Sequence, residues 1–425
     1  MRARLPGSFD ALREREFRLL FVAHAISALG DFLVPVALAF AVLDLTGSAT
    51  DLGLVLTARL VPLVVFMLAG GVWADRLPRQ RLMIASHVVR LVSQGGLGLL
   101  LVTGHARIWE LVVLQAVHGS ATAFFRPASS GIVPQTVSPE HLHQANGLMW
   151  GAIGIAGFAG PAIAGVALAT AGAGWAILGD AATFALGAYL LTRLRLPTLP
   201  PRARESFLHE LAVGWREVVS RRWLWSSITS FAVFQLAVIA AFSVLGPVVA
   251  KRSLGGASAW ATLAAAFGIG SIVGNLVALH VRPRRPLRFA WSFTLFCFPT
   301  LFLLAFAAPV PLIAVTELAS GLAIGMSGAL WETTLQEHVP EAALSRVSAY
   351  DWMGSMVLRP AGLAVVGPVA AVVGVRAALV GAGVLGLAAN LALLGVPEVR
   401  TLERGGPADT SEEPAFAGLD VTAEA

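Results

Sequence analysis

The amino-acid sequence predicts an all-α membrane protein, with twelve transmembrane helices in two pseudo-symmetric six-helix bundles. Three observations predict it: the composition, the recurrence of long apolar runs, and the way arginine is sorted among the loops. The 425 residues are 56% hydrophobic and 13% charged, whereas a soluble chain carries about 25% charged residues. The apolar runs are continuous for about 18 residues or more, enough to cross a hydrocarbon core as a helix. A membrane β-barrel would need alternating polar residues instead. The net charge of +5 is nearly all arginine. These arginines cluster between apolar runs, which speaks for a lipid bilayer as partner and against nucleic acid.

The spans are placed at 19–43, 52–74, 82–103, 108–125, 145–169, 175–194, 224–249, 259–281, 289–308, 312–331, 347–373 and 377–396. The first is read as an uncleaved helix, because a full-length span follows Arg2, Arg4, Arg13, Arg15 and Arg18 with no small-residue cleavage site. One set of loops holds this basic N-terminus, Arg76/Arg79/Arg81, the arginines between 193 and 222, Arg282/Arg284/Arg285/Arg288, and Arg400/Arg404. The other set is short; its basic exceptions are Arg107, Arg376 and Lys251/Arg252. Positive loops stay inside, so a multi-pass protein of the plasma (inner) membrane with both termini cytoplasmic is expected.

Four segments follow from this order. Residues 1–194 form an N-terminal six-helix bundle, 195–222 a cytoplasmic linker, 223–397 a C-terminal six-helix bundle and 398–425 a disordered, acid- and glycine-rich tail. In the linker, Phe207, Leu211, Trp215 and Val218 recur at helical spacing, the mark of an amphipathic helix lying at the interface; a floppy linker is the equal alternative. A faint repeat joins the halves. VPQTVSPEHLHQANGLMW (133–150) echoes LQEHVPEAALSRVSAYDW (335–352), and RLPRQR (76–81) has a counterpart in RPRRPLR (282–288). Two six-span halves related by a parallel repeat are a transporter pattern.

Between spans two and three the chain reads GGVWADRLPRQR. Gly71, Asp75, Arg76, Arg79 and Arg81 resemble the cytoplasmic signature of the major facilitator superfamily, although Pro78 stands where that family usually has glycine. The resemblance implies that this loop latches one conformation through charge pairs and a helix end. The fifth span carries GFAGPAIAG, in which Gly160, Pro161 and Gly165 resemble the Gly-Pro signature of proton-driven antiporters in that superfamily. FRLLFVAHAISALGD, LTARLVPLVVFMLAGG, FFRPA and QANGLMW are similar to the bacterial branch of enterobactin exporter-like and macrolide-efflux-like proteins. Span four departs from the family, with Gln115 where an arginine is usual, four residues before Gly119.

Charges inside spans are costly and mark function. At ~1.5 Å per residue, Asp31, Arg59, Glu317 and Arg359 all lie roughly 20–24 Å from the nearest basic-side charge. By the resemblance, spans one and ten line a cavity, and spans two and eleven flank it. Asp31 and Glu317 are then expected to exchange protons while Arg59 and Arg359 tune them; static ion pairs are the equal alternative. Asp180, Arg90 and Asp351 lie in or near spans with less convergence. His24, Ser27 and Asp31 share one face of span one, and Gln115, His118 and Thr122 one face of span four, with Arg126 a turn further. Such faces either point into a wet cavity or bond helices together.

No catalytic set appears. The only lysine, Lys251, sits in VVAKRS, so there is no phosphate-binding lysine loop. No HExxH spacing is present, and His141, His143 and Glu140 read as a solvated loop and not as a metal site. The expectation is a monomer without cofactors or metal that moves a small molecule and protons, as an amphipathic drug- or siderophore-like efflux. Proton-coupled uptake is the first alternative; a channel or receptor follows.

Overall fold

The computed structural model describes residues 10–196 and 215–404, except the side chains of residues 68–76, 143, 341, 342 and 345. Twelve helices among the described residues are long and apolar enough to cross a membrane. They are α1 (Arg15–Thr46), α2 (Ala49–Arg76), α3 (Arg79–Val102), α4 (Ile108–Ile132), α5 (Leu142–Thr170) and α6 (Ala173–Thr192). The second half holds α7 (Arg222–Leu254), α8 (Ala257–Ala278), α9 (Pro286–Ala305), α10 (Val310–His338), α11 (Arg346–Val373) and α12 (Val375–Gly395). Each predicted span has its helix. Several helices run further than the apolar stretch: α1 starts at Arg15, and α10 continues to His338. Apolarity marks where lipid lies, while the backbone hydrogen-bond ladder continues into the polar boundary.

Turns on the face with short loops are tight. α1 ends at Gly47 in the left-handed region (φ 66°), whose N–H bonds the Leu43 carbonyl, and α2 begins two residues later. Two helices are irregular. α7 contains wide turns at Gln235–Ile239 and Ala250–Leu254, a form of helix that recurs at functional sites. α11 breaks between Glu341–Met356 and Arg359–Val373. Pro360 lies in the first turn of the second stretch, where its missing N–H costs nothing.

The helix pairing shows the internal symmetry directly. In the first half α2 packs on α4, α3 on α6 and α4, and α1 on α5 and α6. In the second half α8 packs on α10, α9 on α12 and α10, and α7 on α11 and α12. Every pair recurs six helices later. The halves meet along α5–α8 and α2–α11, which the same symmetry exchanges. The α8–α10 contact is the closest in kind. A Cβ at Gly274 would overlap the Leu322 carbonyl, and one at Gly321 the Phe267 carbonyl, so backbones touch as small residues permit in lipid.

The two faces differ. On the short-loop face one apolar cluster spans both halves, taking in Leu33, Val34 and Leu38 of α1, Val244, Leu245 and Val248 of α7, Leu263 of α8 and Leu363 of α11. Lys251 of α7 reinforces it, donating to the Leu43 carbonyl (2.6 Å) and pairing with Asp44. On the basic face each half keeps its own cluster. One is built on Phe17, Leu20, Met83, Phe125 and Met149, the other on Trp223, Leu224, Trp291, Leu335 and Val347. The halves are thus sealed on one side and separate on the other.

Around the basic face the chain ends are tied down. Glu14 accepts hydrogen bonds from the Ser138 N–H and hydroxyl and lies 2.7 Å from His141 Nδ1. Residues 398–404, expected to open a disordered tail, are ordered instead. Pro397–Thr401 is a short helix (α13), Val399 is buried, and Arg404 pairs with Glu337. Proline at the helix start and an anchoring valine outweigh the polar composition there. Of the expected amphipathic helix, Phe207 and Leu211 lie outside the described residues. Residues 215–220 are helical, with Val218 buried and the Trp215 ring 5.7 Å from Tyr350.

Gly274→Leu should force α8 from α10 and lower stability by about 1–3 kcal/mol; thermal unfolding of the detergent-solubilised protein, followed by tryptophan fluorescence, checks this. Burial pushes the Glu14 carboxyl up, but the His141 and Ser138 bonds outweigh it and hold it below the usual glutamate range. A depressed carboxylate stabilises above its unfolded pKa and loses that contribution as pH falls through its folded one. Acid titration of the unfolding temperature should therefore show a step below the glutamate range that is missing in Glu14→Gln.

Candidate functional site

The site grows from four helices that each carry polar residues at helical spacing. α1 offers His24, Ser27 and Asp31; α3 offers His87, Arg90 and Gln94; α4 offers Gln115, His118 and Thr122; α6 offers Asp180 and, one turn on, Phe184. A fifth helix, α2, supplies Arg59. Gly119 lets α2 lie directly on α4, because any Cβ there would overlap the Arg59 backbone carbonyl. Bundling places these faces together at the centre of the first half.

Asp31 is the hub. Its Oδ1 accepts from Arg59 Nη2 at 3.1 Å and its Oδ2 from Arg90 Nη2 at 2.5 Å. His118 Nε2 stands 3.9 Å from Oδ1. Arg90 is fully buried, its guanidinium 3.9 Å above the Phe184 ring and 5.4 Å from that of Phe125. Aromatic faces favour a cation where water is excluded. Beside the hub, Gln94 donates to Asp180 (2.8 Å) and Gln115 donates to Gln94 (3.0 Å). The Asp31 side chain keeps 31% exposure, so the cluster is not fully closed off. Breaking a buried pair leaves an uncompensated charge, at a cost of about 3–5 kcal/mol.

Among the four charges placed at one depth, Asp31 and Arg59 are in contact. Arg359, first residue of the second stretch of α11, lies in the field of Arg59 and Arg126. Glu317 does not join them. It is buried within the second half against α9, hydrogen-bonded by Thr300. Depth along a helix fixes level but not azimuth, and Glu317 faces α9. Arg359 accordingly forms no ion pair with a carboxylate of the second half among the described residues.

Apart from Asp31, the polar stripes are packed largely away from solvent. Gln115 and His118 are fully buried, Thr122 and Ser27 nearly so, and both ring nitrogens of His24 are inaccessible. They face neighbouring helices of their own half; only Arg126, at the end of the α4 stripe, is exposed. Arg90 and Asp180, which converge less clearly in the sequence, and Gln94, which it does not single out, all join the cluster. The available signal was the i, i+3, i+7 spacing of His87, Arg90 and Gln94 on α3, the same as on α1.

The side chains of Gly71, Asp75 and Arg76 lie outside the described residues. Arg79 reaches the Gly131 carbonyl at the end of α4, and Arg81 is exposed. Gln80 donates to the Leu191 and Leu194 carbonyls at the end of α6. In α5, a Cβ at Gly160 would strike Phe32 and Leu33 of α1, and one at Gly165 would strike Ala261 of α8. With Pro161 between them, these glycines sit where α5 touches both its own half and the other. Among the described residues no cluster of His, Cys, Asp and Glu is arranged to hold a metal ion.

Two symmetry-related six-helix halves, one of them built around a buried charge cluster, have the architecture of a multi-pass membrane transporter. The chain belongs to the Major Facilitator Superfamily, whose sequence profile matches residues 20–363. It is 28% identical over 340 residues to the enterobactin exporter EntS of Escherichia coli O1:K1 / APEC, covering 78% of this chain and 80% of that one. The EntS of Shigella boydii serotype 18 (strain CDC 3083-94 / BS512) is 28% identical over 337 residues, with the same coverage. Among solved structures, a bacterial homolog of the human lysosomal transporter Spinster, inward-facing and unoccupied, superposes with a TM-score of 0.68 at 15% identity over 90% of this chain and 96% of that one. A POT family transporter with a bound thioalcohol-conjugated peptide gives 0.71 at 11% identity, over 92% and 100%. The chain is a transporter, not an enzyme.

Arg90→Ala should destabilise the protein by about 3–5 kcal/mol, and adding Asp31→Asn should recover part of that loss; denaturation of both variants in detergent tests the pairing.

Proposed function

We propose that this transporter expels a small amphipathic organic molecule, drug- or siderophore-like, in exchange for protons. One observation carries the reading. Asp31 is a carboxylate in the middle of an apolar bundle, held by two arginines, yet not fully closed off. A carboxylate releases its proton when guanidinium groups hold it and takes one up when they withdraw. Arg59 and Arg90 come from different helices, so a shift of α2 against α3 changes that balance. Ring nitrogens of His24 and His118, and Nε and Nη1 of Arg90, are buried without hydrogen-bond partners among the described residues. Such spare polar capacity suits a site that rearranges. Glu317, buried without a basic partner among the described residues, is the second proton carrier in this reading.

The basic face is the cytoplasmic one by the positive-inside rule. Both termini then lie in the cytoplasm of a bacterial inner-membrane protein, and the described state opens inward. Rocking about α2–α11 and α5–α8 would expose the same cavity outward. Gly160, Pro161 and Gly165 lie on one of these hinges, and the loop carrying Asp75, Arg76, Arg79 and Arg81 serves as the gate. The unit is a monomer of two bundles, 1–194 and 223–397, joined by 195–222. Export is favoured over uptake by the antiporter-like Gly-Pro segment of α5 and by the names of the relatives.

The test is a cargo screen in proteoliposomes with an imposed pH gradient. Cargo flux opposite to the proton flux is expected. In Asp31→Asn, pH-driven accumulation should fall by about tenfold or more per folded protein recovered in the liposomes. Flux in the same direction as protons would make the protein a symporter, and proton coupling that survives Asp31→Asn would reduce the cluster to a structural brace.

A further inference from the structure

The first half ends in a surplus of positive charge that the ion pairs at Asp31 do not absorb. Arg59 and Arg90 already occupy both oxygens of Asp31. Arg126 of α4 and Arg359 of α11 remain. Neither has an ion-pair partner among the described residues. They converge from opposite halves. The Arg126 guanidinium lies 5.8 Å from the Trp352 ring centroid, two turns before Arg359 on α11. Thr57, two residues before Arg59, donates to the carbonyl of Pro360, next to Arg359, at 3.3 Å. The nearest acid of the second half on the same helix, Asp351, is turned away: it accepts from Trp331 Nε1 at 2.9 Å and from Ser355. Arg359 Nε is buried with no hydrogen-bond partner.

Arg59 and Arg359 are half-buried, Arg126 is exposed where α4 meets α11, and a cation kept in a span without a counter-charge marks a task. Arginine presents a planar fork that grips carboxylate, sulfonate or phosphate oxygens two at a time. Trp352, already against Arg126, offers a flat apolar surface beside that fork.

We infer that Arg59, Arg126 and Arg359 form an anion-binding site between the halves, and that the cargo is an amphipathic molecule with a negatively charged head. This rests on the transport reading and narrows its substrate class. Because the site takes residues from α2 and α4 on one side and α11 on the other, a bound anion would draw the halves together on the open face. Binding would then be coupled to the change of access.

The probes are naphthalene-2-sulfonate, its neutral sulfonamide and a naphthyl trimethylammonium salt, equal in ring and different in charge. Binding to the full chain in nanodiscs of zwitterionic lipid is measured by calorimetry. The sulfonate should bind saturably at one site per chain, with affinity about tenfold or more above the other two. Arg126→Gln and Arg359→Gln should each lose that preference, Arg359→Lys should keep part of it, and Arg252→Gln on the far face should change nothing. Absent sulfonate binding, equal binding of the neutral probe, or glutamine variants that bind as the parent does overturn the proposal. Loss of binding when phosphatidylglycerol is added assigns the site to lipid headgroups and overturns the cargo claim. Proteoliposome flux separates the two levels: sulfonate bound but never carried removes the transport reading and leaves the anion site, whereas flux of the neutral or cationic probe alone removes the anion site and leaves transport.

Discussion

The ion cluster at Asp31 constrains the first half more than any other contact. A lone carboxylate in an apolar bundle is prohibitive, and two arginines make it tolerable only from correct positions. That requirement sets α1, α2 and α3 around one point. It also explains the aromatic rings of Phe125 and Phe184 beside Arg90, and the glycine at 119 that admits α2 to α4. The amide chain from Gln115 through Gln94 to Asp180 then ties α4, α3 and α6 into the same knot. Six helices with little hydrophobic reason to prefer one another in lipid thereby acquire a unique arrangement.

The second half is held differently. Its close contacts are backbone on backbone, glycines of α8 against α10, and aromatic packing among Trp223, Trp291 and Trp331. Its buried acid, Glu317, has hydroxyls for company and no cation among the described residues. The pairing of helices is symmetric, while the chemistry inside the halves is not.

The seal and the gap follow from where apolar surface is continuous. On the short-loop face α1 and α7 interleave leucine and valine, and the Lys251–Asp44 pair stands at the rim. On the basic face arginine-rich loops hold the halves' clusters apart, and like charges give no reason to close.

The sequence by itself determined the twelve spans, their grouping by sixes, and the segregation of arginine to one face. These depend on local hydrophobicity and loop charge, which a linear chain carries openly. It also placed Asp31 and Arg59 at one depth, because rise per residue is constant in a helix. Only the tertiary structure decided the azimuth. Helical periodicity tells which residues share a face and nothing about which helix that face meets. So Arg90 became the tightest partner of Asp31, Glu317 turned into its own half, His24, Gln115 and His118 went dry, and Arg359 was left apart from Glu317.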